Sequence, residues 1–313
     1  MKQAVLIILI IATAILTVIS PATAAGRTLS AIDKKIDSLF ILASSGMIMH
    51  RDMVQPAIDS IVALGADAVP RLVEKYDTQS ARERHTIDDI LVKIGSPAVP
   101  YLIESLALDN PEQLSRICYS LGRIQDTSAV PALLGIADHD DWQVRSGCVG
   151  ALGRIGDNRA DKTVIGLLVD EAETVRKSAA VSAGKLLPEA ALPLLVHMLG
   201  DNFYGARHCA SEALVKFGAQ AIKPIVDSLD SDNPMLGNLG CTTLGMIGGE
   251  AAAFGVARQL EADSPLRRAL AVEAIFASES SLACGLVELL AESETDSLVL
   301  YYIDRVLEKY AAR

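Results

Sequence analysis

The chain has 313 residues, half of them apolar but only 4% aromatic, and a formal charge of −11. A core of Ala, Leu, Ile and Val suits closely packed helices better than a sandwich or barrel rich in aromatic and β-branched residues. The acidity argues against nucleic acid as a partner, because phosphates would be repelled on average.

The N-terminus, MKQAVLIILIIATAILTVISPATAAG, is a separate object. Lys2 gives a short positive region and residues 4–19 are almost purely apolar. Pro21 breaks the run, and Ala22-Thr23-Ala24 offers a small-x-small cleavage pattern. Residues 1–24 therefore read as a signal peptide, which predicts an exported protein, periplasmic or extracellular. The run is short for a membrane span of about 20 residues, yet an uncleaved N-terminal anchor is the alternative.

From there the sequence repeats. A capping hairpin is expected over 25–65, a repeat array over 66–292 and a C-terminal capping helix over 293–313. A closing position recurs at Gly65, Gly95, Gln125, Gly156, Leu187, Gly218, Gly248 and Ser278, every 30 or 31 residues, the period of a solenoid. A proline follows at Pro70, Pro100, Pro131, Pro193 and Pro224, where a helix's first turn tolerates it. Val99, Leu102, Ile103 and Leu106 then give the stripe of an amphipathic helix. A polar break comes next, with Asp109, Asp140, Glu171, Asp201, Asp232 or Asp263. A second helix opens after it; the DNP and DSP triplets at 109–111, 232–234 and 263–265 place Asn or Ser at its cap and Pro first in the helix. Each unit is one helical hairpin, which predicts an all-α, right-handed α-solenoid of about nine hairpins with capping ends. Cys118, Cys148, Cys209 and Cys241 fall on apolar helix faces and read as small core residues.

The first-helix prolines, the D-x-x-V-R turn from Asp141 to Arg145 and the A-L-G-R-I-G ending from Ala151 to Gly156 resemble HEAT repeats, in particular the phycobilisome-lyase-type HEAT-like repeats. The likeness covers roughly residues 47–292. It implies second helices lining the concave side, and it admits an alternative role as a lyase- or enzyme-accessory protein. Lyase-type relatives attach bilin chromophores in the cytoplasm, which the N-terminal segment argues against. The HEAT-like di-iron hydroxylases carry repeated His-Glu pairs, whereas His50, His85, His139, His197 and His208 are scattered and none precedes Glu.

Aligning the units exposes two cationic columns. Arg84, Arg145, Arg176, Arg207 and Arg267 lie eleven residues before the closing position and read as a structural ladder bridging carboxylates and free carbonyls. Leu114 and Gly237 interrupt it. Lys93, Arg123, Arg154, Lys185 and Lys216 lie two residues before the closing position. Cations there offset the helix dipole, but five in succession also make a basic stripe on an acidic protein, fit for an acidic protein partner, an anionic glycan or a lipid headgroup. Trp142 and Tyr204 share the first position of a second helix and are candidate interface anchors.

The sequence has no phosphate loop, no G-x-S-x-G and no C-x-x-C. The expectation is a non-catalytic, monomeric scaffold without cofactor or metal, exported and binding a protein partner on its curved helical surface.

Overall fold

A computed structural model describes residues 29–311, so the reading of residues 1–24 as an export segment falls outside the described residues. All the regular elements described are helical, and the chain is an all-α solenoid of helical hairpins. Its contacts divide it into two compact units, Met1–Ile136 and Ala137–Arg313. Unit 1 holds α1 (Ala31–Ala43), α2 (Arg51–Val62), α3 (Val69–Glu74), α4 (Ala81–Ile94), α5 (Val99–Glu104), α6 (Pro111–Ile124) and α7 (Val130–Leu134). Unit 2 begins with α8 (Trp142–Ile155), α9 (Asp161–Leu167), α10 (Glu173–Leu186), α11 (Leu192–Met198) and α12 (Tyr204–Phe217). It continues with α13 (Ala219–Val226), α14 (Pro234–Ile247), α15 (Gly249–Ala257), α16 (Pro265–Ala277), α17 (Ser281–Ala291) and α18 (Ser297–Ala311).

Local sequence sets these boundaries. Pro70, Pro100, Pro131 and Pro193 each stand second in a first helix, where no amide is missed. Pro224 instead lies inside α13, because the chain enters that helix directly from Gly218. Second helices are capped by side chains: Asn110 and Asn233 each accept two backbone amides, and Asp141 and Ser264 accept one. Substituting such a cap by Ala costs about 1 kcal/mol.

Second helices stack on second helices within each unit. In unit 1 the fully buried Leu72, Ile87, Ile90, Leu91, Leu102 and Ile117 form the core. Each stabilises by about 1.5–3 kcal/mol relative to an exposed position. Unit 2 packs more closely through small residues. A Cβ added at Gly153 would overlap the Ser182 side chain and come 2.7 Å from its Cα; one at Gly184 would come 3.0 Å from the Cα of Ala213. Ser182 donates to the Val149 carbonyl (2.8 Å), Ser146 meets Ser178 (2.8 Å) and Ser211 meets Thr243 (2.7 Å).

The closing positions adopt positive φ at Gly65, Gly95, Gly156, Gly218 and Gly248, and also at the non-glycine residues Gln125 and Leu187. The last unit departs from the expected register. Ser278 has a φ of −72° and still belongs to the helical turn, while Glu279, at φ 59°, takes the left-handed role. The unit is therefore one residue longer than Ser278 implied, and every column counted back from it moves by one.

That shift corrects the arginine ladder. Its geometry is clearest at Arg145, which holds both carboxylate oxygens of Asp170 (2.8 and 2.9 Å) while its third nitrogen donates to the carbonyls of His139 and Asp140. Arg176 repeats this with Asp201 and the carbonyls of Asp170 and Glu171. In the last repeat Arg268, not Arg267, does so, with Glu294 and the carbonyls of Ala262 and Asp263. Each member stands four residues after its helix cap, on the turn facing the preceding break. Arg207 donates to the carbonyls of Asp201 and Asn202. Arg84 donates to that of Thr78 and lies 3.8 Å from Glu112. Arg267 instead fills the gap in the column at Gly237: its guanidinium occupies the place of a Cβ there and donates to Leu229 O and Asn238 Oδ1.

Candidate functional site

The second cationic column divides between the units, and its chemistry differs in each. Lys93 and Arg123, near the C-terminal ends of α4 and α6, are both neutralised. Lys93 Nζ lies 3.7 Å from Asp59 of α2, and Arg123 Nη1 lies 2.9 Å from Asp89 of α4. Those aspartates share one register, six residues before the closing position of the preceding second helix. In the same register unit 2 has Gly150 and Val181 where Lys185 and Lys216 would need a carboxylate. Lys185 and Lys216 are exposed, and among the described residues neither has an ion pair.

Lys185 also feels its neighbours. Burial lowers its affinity for a proton, and repulsion from Arg154 and Lys216 lowers it further, so its pKa lies below the usual lysine value. Arg154 and Lys216 therefore stand as like charges near Lys185. Lys177 and Val181 precede Lys185 on the exposed stripe of α10, and His208 and Glu212 precede Lys216 on that of α12. Glu212 lies 3.5 Å from His208. Gly150, two turns into α8, opens onto space, since an added Cβ would meet nothing within 4 Å.

The aromatic anchors sit at the N-terminal edge of this face. Tyr204 is 69% exposed, stacks on His208 at 6.0 Å and has the Arg207 guanidinium 5.7 Å from its ring centre. Trp142 is 44% exposed at the start of α8. Met235 and Leu266, one residue further into α14 and α16, are exposed as well. Sequence reasoning passed over both, together with Lys177. The available signal for Met235 and Leu266 was their position: each is a large apolar residue directly after the proline that opens its helix, ahead of the first buried residue, Leu236 or Ala269.

A buried polar cluster in unit 1 was also missed. The Tyr76 hydroxyl donates to Asp88 Oδ1 at 2.6 Å and meets Ser120 Oγ at 2.7 Å, while Ser120 reaches the same carboxylate oxygen at 3.1 Å. Asp88 is fully buried and its Oδ2 has no hydrogen-bond partner among the described residues. Desolvation raises its pKa. Asp88 stands in the column that holds Cys118, Val149, Ala180 and Cys241 elsewhere, so a charged residue there was readable as out of character.

His139 and Cys148, nine residues apart in the sequence, do not converge on one site. His139 Nδ1 accepts the Asp141 amide (3.0 Å), Asp141 caps α8, and Cys148 is buried. Cys118, Cys209 and Cys241 are likewise buried and free, and burial pushes the thiols of Cys118 and Cys241 up to about 12. Among the described residues no group of three or more His, Cys, Asp or Glu is placed to hold a metal ion.

Comparison with known proteins agrees with this architecture. Residues 100–185 match the family description for HEAT repeats. No curated protein sequence matches. Among solved structures, the chain is similar to Escherichia coli YibA, at 16% identity and a TM-score of 0.50 over 80% of this chain and 96% of that one. It is also similar to the CpcE–CpcF complex of phycocyanin lyase from Nostoc sp., at 19% identity and a TM-score of 0.37 over 88% and 99%. Human deoxyhypusine hydroxylase in complex with glycerol follows, at 17% and 0.34 over 90% and 98%. At this identity the likeness to YibA speaks to the fold alone, and no argument rests on the other two.

Proposed function

We propose that this chain of helical hairpins, whose residues 100–185 match HEAT repeats, is a non-catalytic scaffold that captures an acidic protein segment on the second-helix face of unit 2. The observation that carries this reading is the loss of the neutralising carboxylates. Lys93 and Arg123 have Asp59 and Asp89, whereas Lys185 and Lys216 face the register of Gly150 and Val181. A structural cation at a helix C-terminus needs no such change, since it already offsets the dipole. Unpaired cations on a protein of charge −11 gain most from an incoming carboxylate. Tyr204, with Met235 and Leu266 beyond it, supplies apolar contact at the opposite, N-terminal edge of this face, about 18 Å from Lys216 along α12. The apolar run at residues 4–19 supports export as the setting.

The test is binding of a fluorescein-labelled, glutamate-rich peptide by the purified chain. Lys185→Glu with Lys216→Glu should weaken binding about tenfold or more, and added salt should weaken the wild type. Lys93→Glu with Arg123→Glu should change it by no more than about twofold, because those charges are already paired. Equal losses from both pairs, or tighter binding of heparin than of the peptide, would overturn the reading.

A further inference from the structure

We propose that the loop joining α1 to α2 is a lipid-contacting tip that seats unit 1 against a bilayer surface. Met47, Ile48 and Met49 are 60%, 91% and 77% exposed, the one run of three consecutive exposed large apolar residues among the described ones. A soluble surface scatters such residues singly; a contiguous set marks a contact surface.

The exposure is built rather than frayed. Ser44 Oγ donates to the Phe40 carbonyl (2.8 Å), Ser45 Oγ meets His50 Nδ1 (2.8 Å) and accepts the Met47 amide (3.2 Å), and His50 N closes the turn onto Met47 O (3.0 Å). Gly46 lies against the Arg82 guanidinium, where a Cβ would come 3.0 Å from its Cζ. None of the described residues of unit 1 covers the three side chains. The open cleft beside Met47, about 540 Å³, is lined by Phe40 and Ile41 as well as by Lys75, Asp77, Thr78 and Glu83, and neither Ile48 nor Met49 lines it.

Two features select lipid as the occupant. The apolar run at residues 4–19 has the composition of a membrane segment, and eleven residues, 20–30, separate it from α1. Fully extended they reach about 40 Å, so a run retained in the bilayer holds unit 1 within that distance of the surface and raises the effective concentration of the tip there. The charges around the tip also balance, with Arg51, Lys75 and Arg82 set against Asp52, Asp77 and Glu83. Insertion of the apolar side chains, rather than attraction to anionic headgroups, is then what binds, with the tip entering the headgroup–acyl boundary. Ile48 enters deepest, as the most exposed of the three.

The experiment places tryptophan at the tip of the full chain, as Ile48→Trp in a Trp142→Phe background, and adds phosphatidylethanolamine/phosphatidylglycerol vesicles with brominated acyl chains. Emission should shift to the blue and lose roughly half its intensity to bromine, at low and high salt alike, as expected for a side chain about 5–10 Å into the interface. Tyr101→Trp in the same background, exposed on α5 of the same unit, should stay unquenched. The proposal is overturned by an unquenched tip or by equal quenching at both positions. A tip already blue-shifted without vesicles also overturns it, because the chain itself would then cover the loop.

Discussion

Units 1 and 2 obey one thirty-residue grammar yet hold their hairpins together differently. Unit 1 closes its core around a buried hydroxyl–carboxylate cluster of Tyr76, Asp88 and Ser120, and its ladder is reduced to Arg84. It neutralises its helix-terminal cations with Asp59 and Asp89. Unit 2 fits its second helices together through Gly153, Ser182, Gly184 and Ala213 and rivets successive breaks with part-buried Arg–carboxylate pairs. The difference teaches that the repeat specifies the helices, while the residues between repeats decide which surfaces remain available. Where close packing and the ladder carry stability, as in unit 2, the exposed cations are released from a structural role.

The largest effect that would test this contrast is at Gly153. Replacing it by Val drives a branched side chain into Ser182 and should cost about 3 kcal/mol, read from the urea midpoint. Gly150→Ala in the same helix, facing open space, should instead stabilise by up to about 1 kcal/mol. A loss at Gly150 as large as that at Gly153 would refute close packing as the cause.

Next comes the ladder. Arg145 and Asp170 are both buried, so Arg145→Ala leaves an unpaired carboxylate and two bare carbonyls and should cost about 2–3 kcal/mol. Arg84→Ala, whose nearest carboxylate on Glu112 is half exposed, should cost no more than about 1 kcal/mol. Equal costs would erase the difference between the units.

Titration separates them further. Burial is the largest single influence and would raise Asp170 and Asp201, but the hydrogen bonds from Arg145 and Arg176, those from the Ala172 and Phe203 amides and the nearby guanidinium charges together outweigh it and hold both carboxyls below the usual range. Arg268 holds Glu294 at about 2. These groups contribute stability that is present above the unfolded pKa near 4 and is lost as pH falls towards their folded values. Asp88 has the opposite sign: its raised pKa favours the protonated form in the fold, so stability falls as pH rises from about 4 through the folded value. Asp88→Asn should therefore gain on the wild type between pH 4 and 7 in thermal melts, and a constant difference across that range would contradict a titrating core.

The smallest effect expected is on stability at the exposed cations. Lys185→Ala with Lys216→Ala should shift the midpoint by no more than about 0.5 kcal/mol, as unpaired surface charges do. A larger loss would return them to structure and weaken the binding reading.

Much of this was legible in the sequence. The period gave the hairpins, Asn110, Asn233 and Ser264 gave the caps, and the ladder could be placed at Arg145 and Arg176, since all these depend on short-range backbone geometry. The last repeat was misplaced by one residue because Glu279 takes a conformation that its side chain does not announce. Arg267 was consequently taken for Arg268. Tertiary structure alone decided what meets across repeats: that Ser182 lies over Gly153, that Arg267 fills the vacancy at Gly237, that Tyr76 reaches Asp88, and that Lys185 stands beside Arg154 and Lys216 with no carboxylate to answer it. Periodicity fixes which side of a helix is buried, but the partner of each side chain depends on how close neighbouring helices come, which is set by the packing of every residue between them.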